Sequence, residues 1–427
     1  MFCEPPVLLQ KATNIADSIG NGLDKTGNGN YNIDIENTRM IHFAGKGNGC
    51  AMKKVGIITH YHGSRNYGGL LQAYALCRVL AEHGISCEQI SYDMLAHRPL
   101  NPAPLPSFGR RMRRALRRRL RGLYRRISGR YVDPRVWSAR RDAACADFRE
   151  RIPHSKTVYT EATVSQCVGD YAAFITGSDQ VWNTDWYCPA YFLDFVPDHL
   201  PKLAYAASLG HGRLTEADRA VFRRSLSTFR GISVREASAV EAVREVCSVP
   251  VQCCLDPTLL LTREAWDGIA SPRVIREPYV LCYFLGGDPC LRRVARSYAG
   301  AHGFSLAVIP TSPDEDSRFG DRQMADANPE DFISLIRHAE CLFTDSFHAV
   351  AFAALYQRPF FVCERKGSPG MNTRLYDLTE LLGARHRICT DHGDPEAIAP
   401  IDYSAVVPRL EARRQESISY LLEQLTL

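Results

Sequence analysis

Apolar runs of strand length that alternate with amphipathic helices restrict the possible folds of this 427-residue chain more than any other feature. VGIITHY, at residues 55–61, is a continuous apolar run of the kind found in strands that are covered on both faces. A glycine-bearing loop, the helical stretch LLQAYALCRVLAEHG and the strand-like ISCEQISYD follow it. This strand–helix–strand order predicts an α/β fold built on parallel sheets.

The same rhythm occurs in two separate series, which predicts two domains. A chain of this length is too long for one ordinary hydrophobic core. We place the first Rossmann-like domain at residues 52–261 and the second at residues 278–405. The polar stretch 262–277 between them is the expected linker, and residues 406–427 are expected to form a closing C-terminal helix.

Composition excludes several classes of protein. The chain is 45% hydrophobic and 23% charged, as in globular proteins, and has no run of the roughly 20 apolar residues that a membrane span needs. Its 15 cysteines include no CxxC pair, so we expect reduced thiols, a cytoplasmic location and no metal site. Residues 1–51 are rich in Gly, Asn and Asp and are expected to be disordered. Met52, directly before the first strand, is an alternative start of the natural chain.

An Arg-rich insertion at about residues 99–151 interrupts the first series. Arg110–Arg130 contains 11 arginines and no acidic residue, so it accounts for the net charge of +5. Apolar side chains recur along one helical face, at Met112, Leu116, Leu120, Leu123 and Ile127. A basic amphipathic helix suits an anionic membrane surface, such as the inner face of the cytoplasmic membrane. The alternative is a solvated helix that packs its narrow stripe on the domain. Sparse aromatic residues argue against nucleic acid.

Two predicted helix N-termini in the second domain form a candidate anion site. ECLFTDSFHAVAF, at residues 340–352, predicts a strand, a polar turn at Ser346 and a helix whose first N–H groups favour an anion. His348 lies in that first turn, where an imidazole can transfer a proton or contact a phosphate. The alternative is a serine N-cap followed by a surface histidine. NTRLYDL then starts another helix, with Asn372 as its expected N-cap and Arg374 in its first turn, so a ligand with two anionic groups fits.

The loop after the first strand of the first domain is a second candidate binding segment. It lies at the carboxyl end of a parallel strand, where open α/β sheets bind ligands. Gly68 and Gly69 allow a ligand to approach the backbone, and Asn66 offers an amide. The pattern is not GxGxxG, so it does not indicate a dinucleotide. The alternative is that both glycines serve only the turn.

Further polar residues follow other strands of the same domain. Ser178 and Asp179 follow the strand YAAFITG, and Arg235 ends the strand GISVR. Because the carboxyl ends of parallel strands share one rim, we expect these side chains to face a common site. Taken singly, each is better explained as a capping or ion-pair residue, and their shared rim is what favours a functional role.

Eight segments in a fixed order resemble one known family. They are NYGGLLQAYAL, TGSDQVWN, YFLDFV, KLAYAASLG, ISVRE, LDPTLLL, TDSFHAVAF and NTRLYDL. They are similar to the polysaccharide pyruvyl transferases, and the resemblance extends over about residues 55–383. The resemblance implies a GT-B-like fold, with two Rossmann-like domains and the site in the cleft between them.

The resemblance also implies a reaction. Members of the family transfer the pyruvyl group of phosphoenolpyruvate to two hydroxyls of a sugar, which forms a pyruvate ketal and releases phosphate. His348 would bind the donor and act as the acid, and Arg235 would pair with the donor's anionic groups. Asp179 is the candidate base on the sugar side. The expected partners are phosphoenolpyruvate, as a substrate with no further cofactor, and a saccharide or lipid-linked oligosaccharide acceptor.

The chain departs from the family pattern in its stronger Arg-rich segment, at Ala349, where near relatives often have glycine, and at the residues just before it. Two other functions also remain open. Many members carry Arg-Leu-His where this chain has Ser346-Phe347-His348. One cation is thus missing from the expected donor site unless Arg374 or Arg365 replaces it. The alternatives are a sugar-nucleotide glycosyltransferase of the GT-B type and a non-catalytic protein that binds glycans or a membrane surface.

Overall fold

A computed structural model describes most of the chain after residue 52. The described residues are 53–94, 109, 112–113, 116, 134–211, 213–286, 289–311, 319–365, 369–389 and 395–426. The predicted disordered tail at residues 1–51 lies outside them. So does most of Arg110–Arg130, although Met112 and Leu116 of its apolar stripe are described as helical and largely exposed.

The first lobe is built on a six-stranded parallel sheet with the order β2-β1-β3-β4-β5-β6. Its strands are β1 (Lys54–Ile58), β2 (Cys87–Gln89), β3 (Tyr171–Thr176), β4 (Lys202–Ala207), β5 (Gly231–Val234) and β6 (Val251–Cys253). The order reverses at β1, so the loops that follow β1 and β3 lie at the switch point, where such sheets bind ligands.

The second lobe repeats this plan with the strand order β12-β11-β10-β7-β8-β9, again with parallel pairs. Its strands are β7 (Tyr279–Tyr283), β8 (Ser305–Val308), β9 (Arg322–Gln323), β10 (Cys341–Thr344), β11 (Phe360–Cys363) and β12 (Ile388–Cys389). The two sheets confirm the predicted fold class, two Rossmann-like domains in a GT-B-like arrangement. The exact domain limits stay a prediction.

Helices connect the strands. The described helices are α1 (Tyr67–Glu82), α2 (Pro134–Arg151), α3 (Glu216–Leu226), α4 (Ala239–Arg244), α5 (Arg263–Asp267), α6 (Pro289–Ala301), α7 (Pro329–His338), α8 (Phe347–Leu355), α9 (Thr373–Leu381) and α10 (Tyr403–Leu425). None of the helices within these residues is both long enough and apolar enough to span a bilayer.

One hydrophobic core joins the lobes at α1. This helix is buried along most of its length, and its side chains belong to the same cluster as those of α7 and α8. Tyr67, in its first turn, stacks on Phe332 of α7 with a centroid separation of 4.6 Å. The Tyr67 hydroxyl donates to the carbonyl of Ala327 at 2.6 Å. The apolar faces of both lobes are therefore buried against each other.

The C-terminal helix α10 returns from the second lobe to the first. Near its start, the Tyr403 hydroxyl donates to the carbonyl of Arg358 in the second lobe. Further along, Arg414 donates to the carbonyl of Leu259, and Ser417 accepts from the backbone of Leu255, both in the first lobe. The helix thus holds the two lobes together on the side where the chain crosses between them.

Candidate active site between the two lobes

A buried arginine of the first lobe forms the centre of the site. Arg235 follows β5, and its side chain is 1% exposed. Its Nη1 donates to Asp256 at 2.8 Å and lies 3.5 Å from Asp179, and its Nε lies 3.4 Å from Glu236. Burial opposes the charge, but these three carboxylates raise the pKa of Arg235 above its usual value. Its guanidinium also lies 4.3 Å from the ring centroid of Phe347 in the second lobe.

His348 of the second lobe reaches the same cluster. Its Nε2 lies 3.4 Å from Oδ2 of Asp256, the oxygen that accepts from Arg235, but makes no well-formed hydrogen bond within the described residues. His348 and Arg235, which lie on different lobes, therefore contact one carboxylate. They are close enough to contact one small molecule, as the reaction implied by the family resemblance requires.

The approach of His348 depends on a glycine of the first lobe. At Gly68, in the first turn of α1, a Cβ atom would lie 2.0 Å from Nδ1 of His348. At Gly69, a Cβ would lie 2.6 Å from the carbonyl of His60. The glycines therefore do more than form a turn, because they let the N-terminal turn of α1 contact groups that any side chain would push away. Asn66 caps this helix by accepting from the backbone of Gly68 at 3.0 Å.

Asp179 lies among the cations of the site. It is buried, and although burial would raise its pKa, Arg235 and His348 lower it below the usual value. Arg374 also contributes to this lowering. A carboxylate with a lowered pKa is a weaker base, so this position favours stabilisation of positive charge. Its role as the base on the sugar side stays a prediction.

Arg374 differs from the buried arginines Arg235 and Arg414 because no carboxylate pairs with it among the described residues. It is 5% exposed, and its Nε donates to the carbonyl of Met371 at 3.2 Å. Burial, followed by repulsion from Arg235 and Arg365, lowers the pKa of Arg374 to about 10. Such a cation is stabilised by an anion placed beside it. Arg365 is not equivalent, because it pairs with Asp345 at 3.0 Å.

Three predicted substrate-binding residues make structural contacts. Ser346 is the N-cap of α8 and accepts from the backbone of Ala349 at 3.4 Å, as in the alternative considered above. Ser178 is fully buried and donates to the carbonyl of Ala206. Asn372 occupies the N-cap position of α9, as predicted, but its side chain makes no capping hydrogen bond. Its amide instead bonds the backbone of Arg365 at both the N–H and the carbonyl.

Two acidic residues of the site were missed as functional residues from the sequence. Asp256 follows β6, and Glu236 follows Arg235 and accepts from the hydroxyl of Ser208. Both follow the ends of strands, on the rim where Asp179 and Arg235 were predicted to lie. This position is the signal in the sequence that could have identified them. No group of His, Cys, Asp or Glu side chains in the described part of the chain is arranged to hold a metal ion.

A cavity of about 490 Å³ reaches the cluster from the side of α10. Its lining comes from both lobes and from α10, and includes Arg235, Asp256, Leu259, Phe347, Arg374, Leu378, Arg409 and Arg413. Four of these residues are arginines, so the cavity is positively charged at several points of an otherwise partly apolar wall.

Comparison with protein families assigns the chain. A family model described as polysaccharide pyruvyl transferase matches residues 66–367, more than half of the sequence. This chain belongs to the polysaccharide pyruvyl transferase family. Family membership makes it a transferase of polysaccharide biosynthesis, and the match includes Arg235 and His348. Arg374 and the arginines of α10 lie beyond the matched residues. No curated protein sequence matches the chain.

Several solved structures are similar to this pyruvyl transferase family member at low sequence identity. UDP-GlcNAc 2-epimerase from Neisseria meningitidis bound to UDP-GlcNAc is 11% identical, with 84% of this chain and 100% of that chain covered and a TM-score of 0.40. The E. coli heptosyltransferase WaaC is 15% identical, with 73% and 88% covered and a TM-score of 0.34. The glycosyltransferase SnogD from Streptomyces nogalater is 11% identical, with 87% and 99% covered and a TM-score of 0.39. The fold assignment rests on the two parallel sheets themselves.

We expect Gly68→Ala to separate His348 from the first lobe. The added methyl would lie 2.0 Å from Nδ1 of His348, and such overpacking costs about 1–3 kcal/mol of the free energy of unfolding. Urea denaturation measures this loss. Gly300→Ala is the matched control, because Gly300 is also helical but a Cβ there meets nothing within 4 Å. Equal stabilities of the two variants would contradict the close contact.

We expect Arg374→Met to stabilise the ligand-free protein. The substitution removes a buried cation whose pKa is lowered to about 10, so the free energy of unfolding should rise by roughly 1–3 kcal/mol. Inorganic phosphate should raise the Tm of the wild type but not of the variant. Arg223→Met, at an arginine that is about half exposed, is the control. A variant less stable than the wild type and still stabilised by phosphate would contradict the anion site.

Proposed function

We propose that this protein transfers the pyruvyl group of phosphoenolpyruvate to two hydroxyls of a saccharide and releases phosphate. The observation that carries the proposal is Arg374, a buried guanidinium without a carboxylate partner among the described residues. It acts on the pKa of the same aspartate, Asp179, as Arg235 and His348 do. A donor with a phosphate and a carboxylate supplies the negative charge that this group of cations lacks.

The residues present suit the steps that such a transfer requires. His348 gives a proton to the methylene carbon of phosphoenolpyruvate, which becomes a methyl group and leaves C2 electrophilic. One sugar hydroxyl adds to C2, and its proton restores the charged imidazole. The second hydroxyl then forms the other C–O bond as the bond from C2 to the phosphate oxygen breaks, and its proton leaves with phosphate. Arg374 and the N-terminal N–H groups of α8 stabilise the departing phosphate.

The acceptor is proposed to approach from the first lobe. Asn66 is exposed at the start of α1, and Gly68 and Gly69 follow it beside the histidine. Asp179, on the adjoining loop, would relay the first hydroxyl proton to His348 or stabilise the cationic centre at C2. The acceptor class proposed here is a saccharide or a lipid-linked oligosaccharide, in keeping with a family of polysaccharide biosynthesis.

The direct test is incubation of the full chain with phosphoenolpyruvate and a panel of bacterial saccharides. We expect phosphate release that depends on the acceptor, together with an acid-labile ketal detected by mass spectrometry. His348→Gln keeps the size of the side chain but has no titratable proton, so kcat should fall about 10²- to 10⁴-fold. His302→Gln, at an exposed histidine after α6, is the control and should retain full activity.

Calorimetry separates the donor from the acceptor, because donor binding requires no acceptor. Phosphoenolpyruvate should bind the wild type and should bind Arg374→Met at least tenfold more weakly, since the variant lacks a charge-assisted hydrogen bond. UDP-, GDP- and CMP-sugars are the comparison ligands. Binding of a nucleotide sugar but not of phosphoenolpyruvate would contradict the proposal and indicate a glycosyltransferase.

We also propose that the Arg-rich segment holds the enzyme at an anionic membrane surface. Met112 and Leu116 are each 58% exposed, so the described part of the apolar stripe does not pack on the lobe. Each arginine near an anionic surface contributes about 1 kcal/mol. Replacing Arg117–Arg119 by glutamine should therefore lower binding to phosphatidylserine vesicles about 100-fold in co-sedimentation. Binding that ignores lipid charge would contradict this.

A further inference from the structure

The two carboxylate oxygens of Asp256 have different partners. Oδ1 accepts from the backbone N–H of Thr258 at 3.0 Å and from its hydroxyl at 2.8 Å, which caps the short turn Pro257–Leu259. Oδ2 accepts from Arg235 at 2.8 Å and from the hydroxyl of Ser178 at 3.2 Å. Oδ2 also lies 3.4 Å from Nε2 of His348. One oxygen therefore belongs to the local fold, and the other joins the two lobes.

The negative charge on Asp256 favours a proton on the ring nitrogen of His348 that faces it. The side chain is fully buried, and although burial opposes ionisation, His348 and Arg235 lower the pKa of Asp256 far below its usual value. A buried carboxylate is stabilised by every donor within reach. At 3.4 Å, Nε2 of His348 stabilises it when that nitrogen carries hydrogen and repels it when the nitrogen presents a lone pair.

The second ring nitrogen of His348 faces the first lobe. Its Nδ1 lies against Gly68, at the N-terminal turn of α1. The ring thus spans from Asp256 on one side to this helix terminus on the other. Histidines that exchange protons are commonly held through one nitrogen while the other reacts.

Other charged groups do not compete for Nε2. Asp179 and Glu236 are the remaining carboxylates of the cluster, and both contact Arg235. Among the ion pairs of the described residues, His348 takes part in one, with Asp256. Phe347, whose ring centroid lies 5.3 Å from that of His348, closes another side without a polar atom.

We propose that Asp256 is a positioning residue that holds His348 with its proton on Nε2 and leaves Nδ1 to exchange the proton with the substrate. The same carboxylate fixes Arg235, so one side chain of the first lobe orients both groups on which the proposed function relies. The chemical role of Nδ1 rests on that proposed function, but the position of the proton on the imidazole does not.

The tautomer of His348 is measured without any substrate. In protein labelled with ¹⁵N-histidine, multiple-bond ¹⁵N–¹H spectra distinguish protonated Nε2 from protonated Nδ1, and His348→Gln identifies the signals of this residue among the 13 histidines. We expect neutral His348 to carry its proton on Nε2 in the wild type and to lose this preference in Asp256→Asn. A wild type with the proton on Nδ1, or an unchanged tautomer in the variant, would overturn the proposal.

Kinetics distinguish positioning from a purely structural role. Asp256→Asn removes one negative charge beside Arg235, so the KM for phosphoenolpyruvate should stay level or fall. Its kcat should drop about 10³- to 10⁴-fold, because the imidazole is no longer held in the working tautomer. A KM that rises together with the loss of kcat, or a kcat within threefold of the wild type, would overturn the proposal.

Asp402→Asn is the matched control. Asp402 caps α10 by accepting from the backbone and hydroxyl of Ser404, which is the same pattern as Asp256 with Thr258, but no arginine or histidine contacts it within the described residues. It should alter stability alone. If Asp256→Asn changes the tautomer of His348 but the wild type does not turn over phosphoenolpyruvate, the positioning role is retained and the proposed reaction is rejected.

Discussion

The packing of α1 between the two lobes is the constraint on which the site depends. Tyr67 stacks on Phe332, and the side chain of Arg141 lies 4.1 Å from the centroid of the same Tyr67 ring. These contacts place the first turn of α1 directly against α8 of the second lobe. Gly68 can then meet His348 without a side chain in the way. A looser junction would leave His348 and Asp256 on separate surfaces.

The buried charges at this junction are balanced unevenly. Arg235 is surrounded by three carboxylates, whereas Arg374 has cations as its strongest charged neighbours. A fully paired cluster would serve the fold, because each buried ion finds its partner within the protein. An unpaired buried cation is destabilising in isolation, and functional sites commonly retain such groups for a ligand. The imbalance therefore separates the part of the cluster that holds the lobes from the part that we propose meets the substrate.

Sequence reasoning was most successful where the relevant interaction is local. The strands of both sheets and the N-cap at Ser346 depend on residues a few positions apart, so their patterns are readable in the chain. It was less successful where the partner is distant. Asn372 caps no helix through its side chain, because its amide bonds the backbone of Arg365. The sequence identifies Asp256 only as the end of a strand, because the partners of its Oδ2 lie 21 or more positions away.

The order of apolar strands and helices alone determined that this chain forms two parallel α/β lobes, because strand burial and helix amphipathicity are properties of short segments. The same order placed Arg235 at the end of a strand and His348 in the first turn of a helix that follows a strand, on the edge where such sheets bind ligands. Only the tertiary structure decided that the two residues share an oxygen of Asp256 and that Arg374 lacks a carboxylate. Such pairings are sensitive to shifts of a few tenths of an ångström between the lobes. The packing of α1 sets the separation of the lobes.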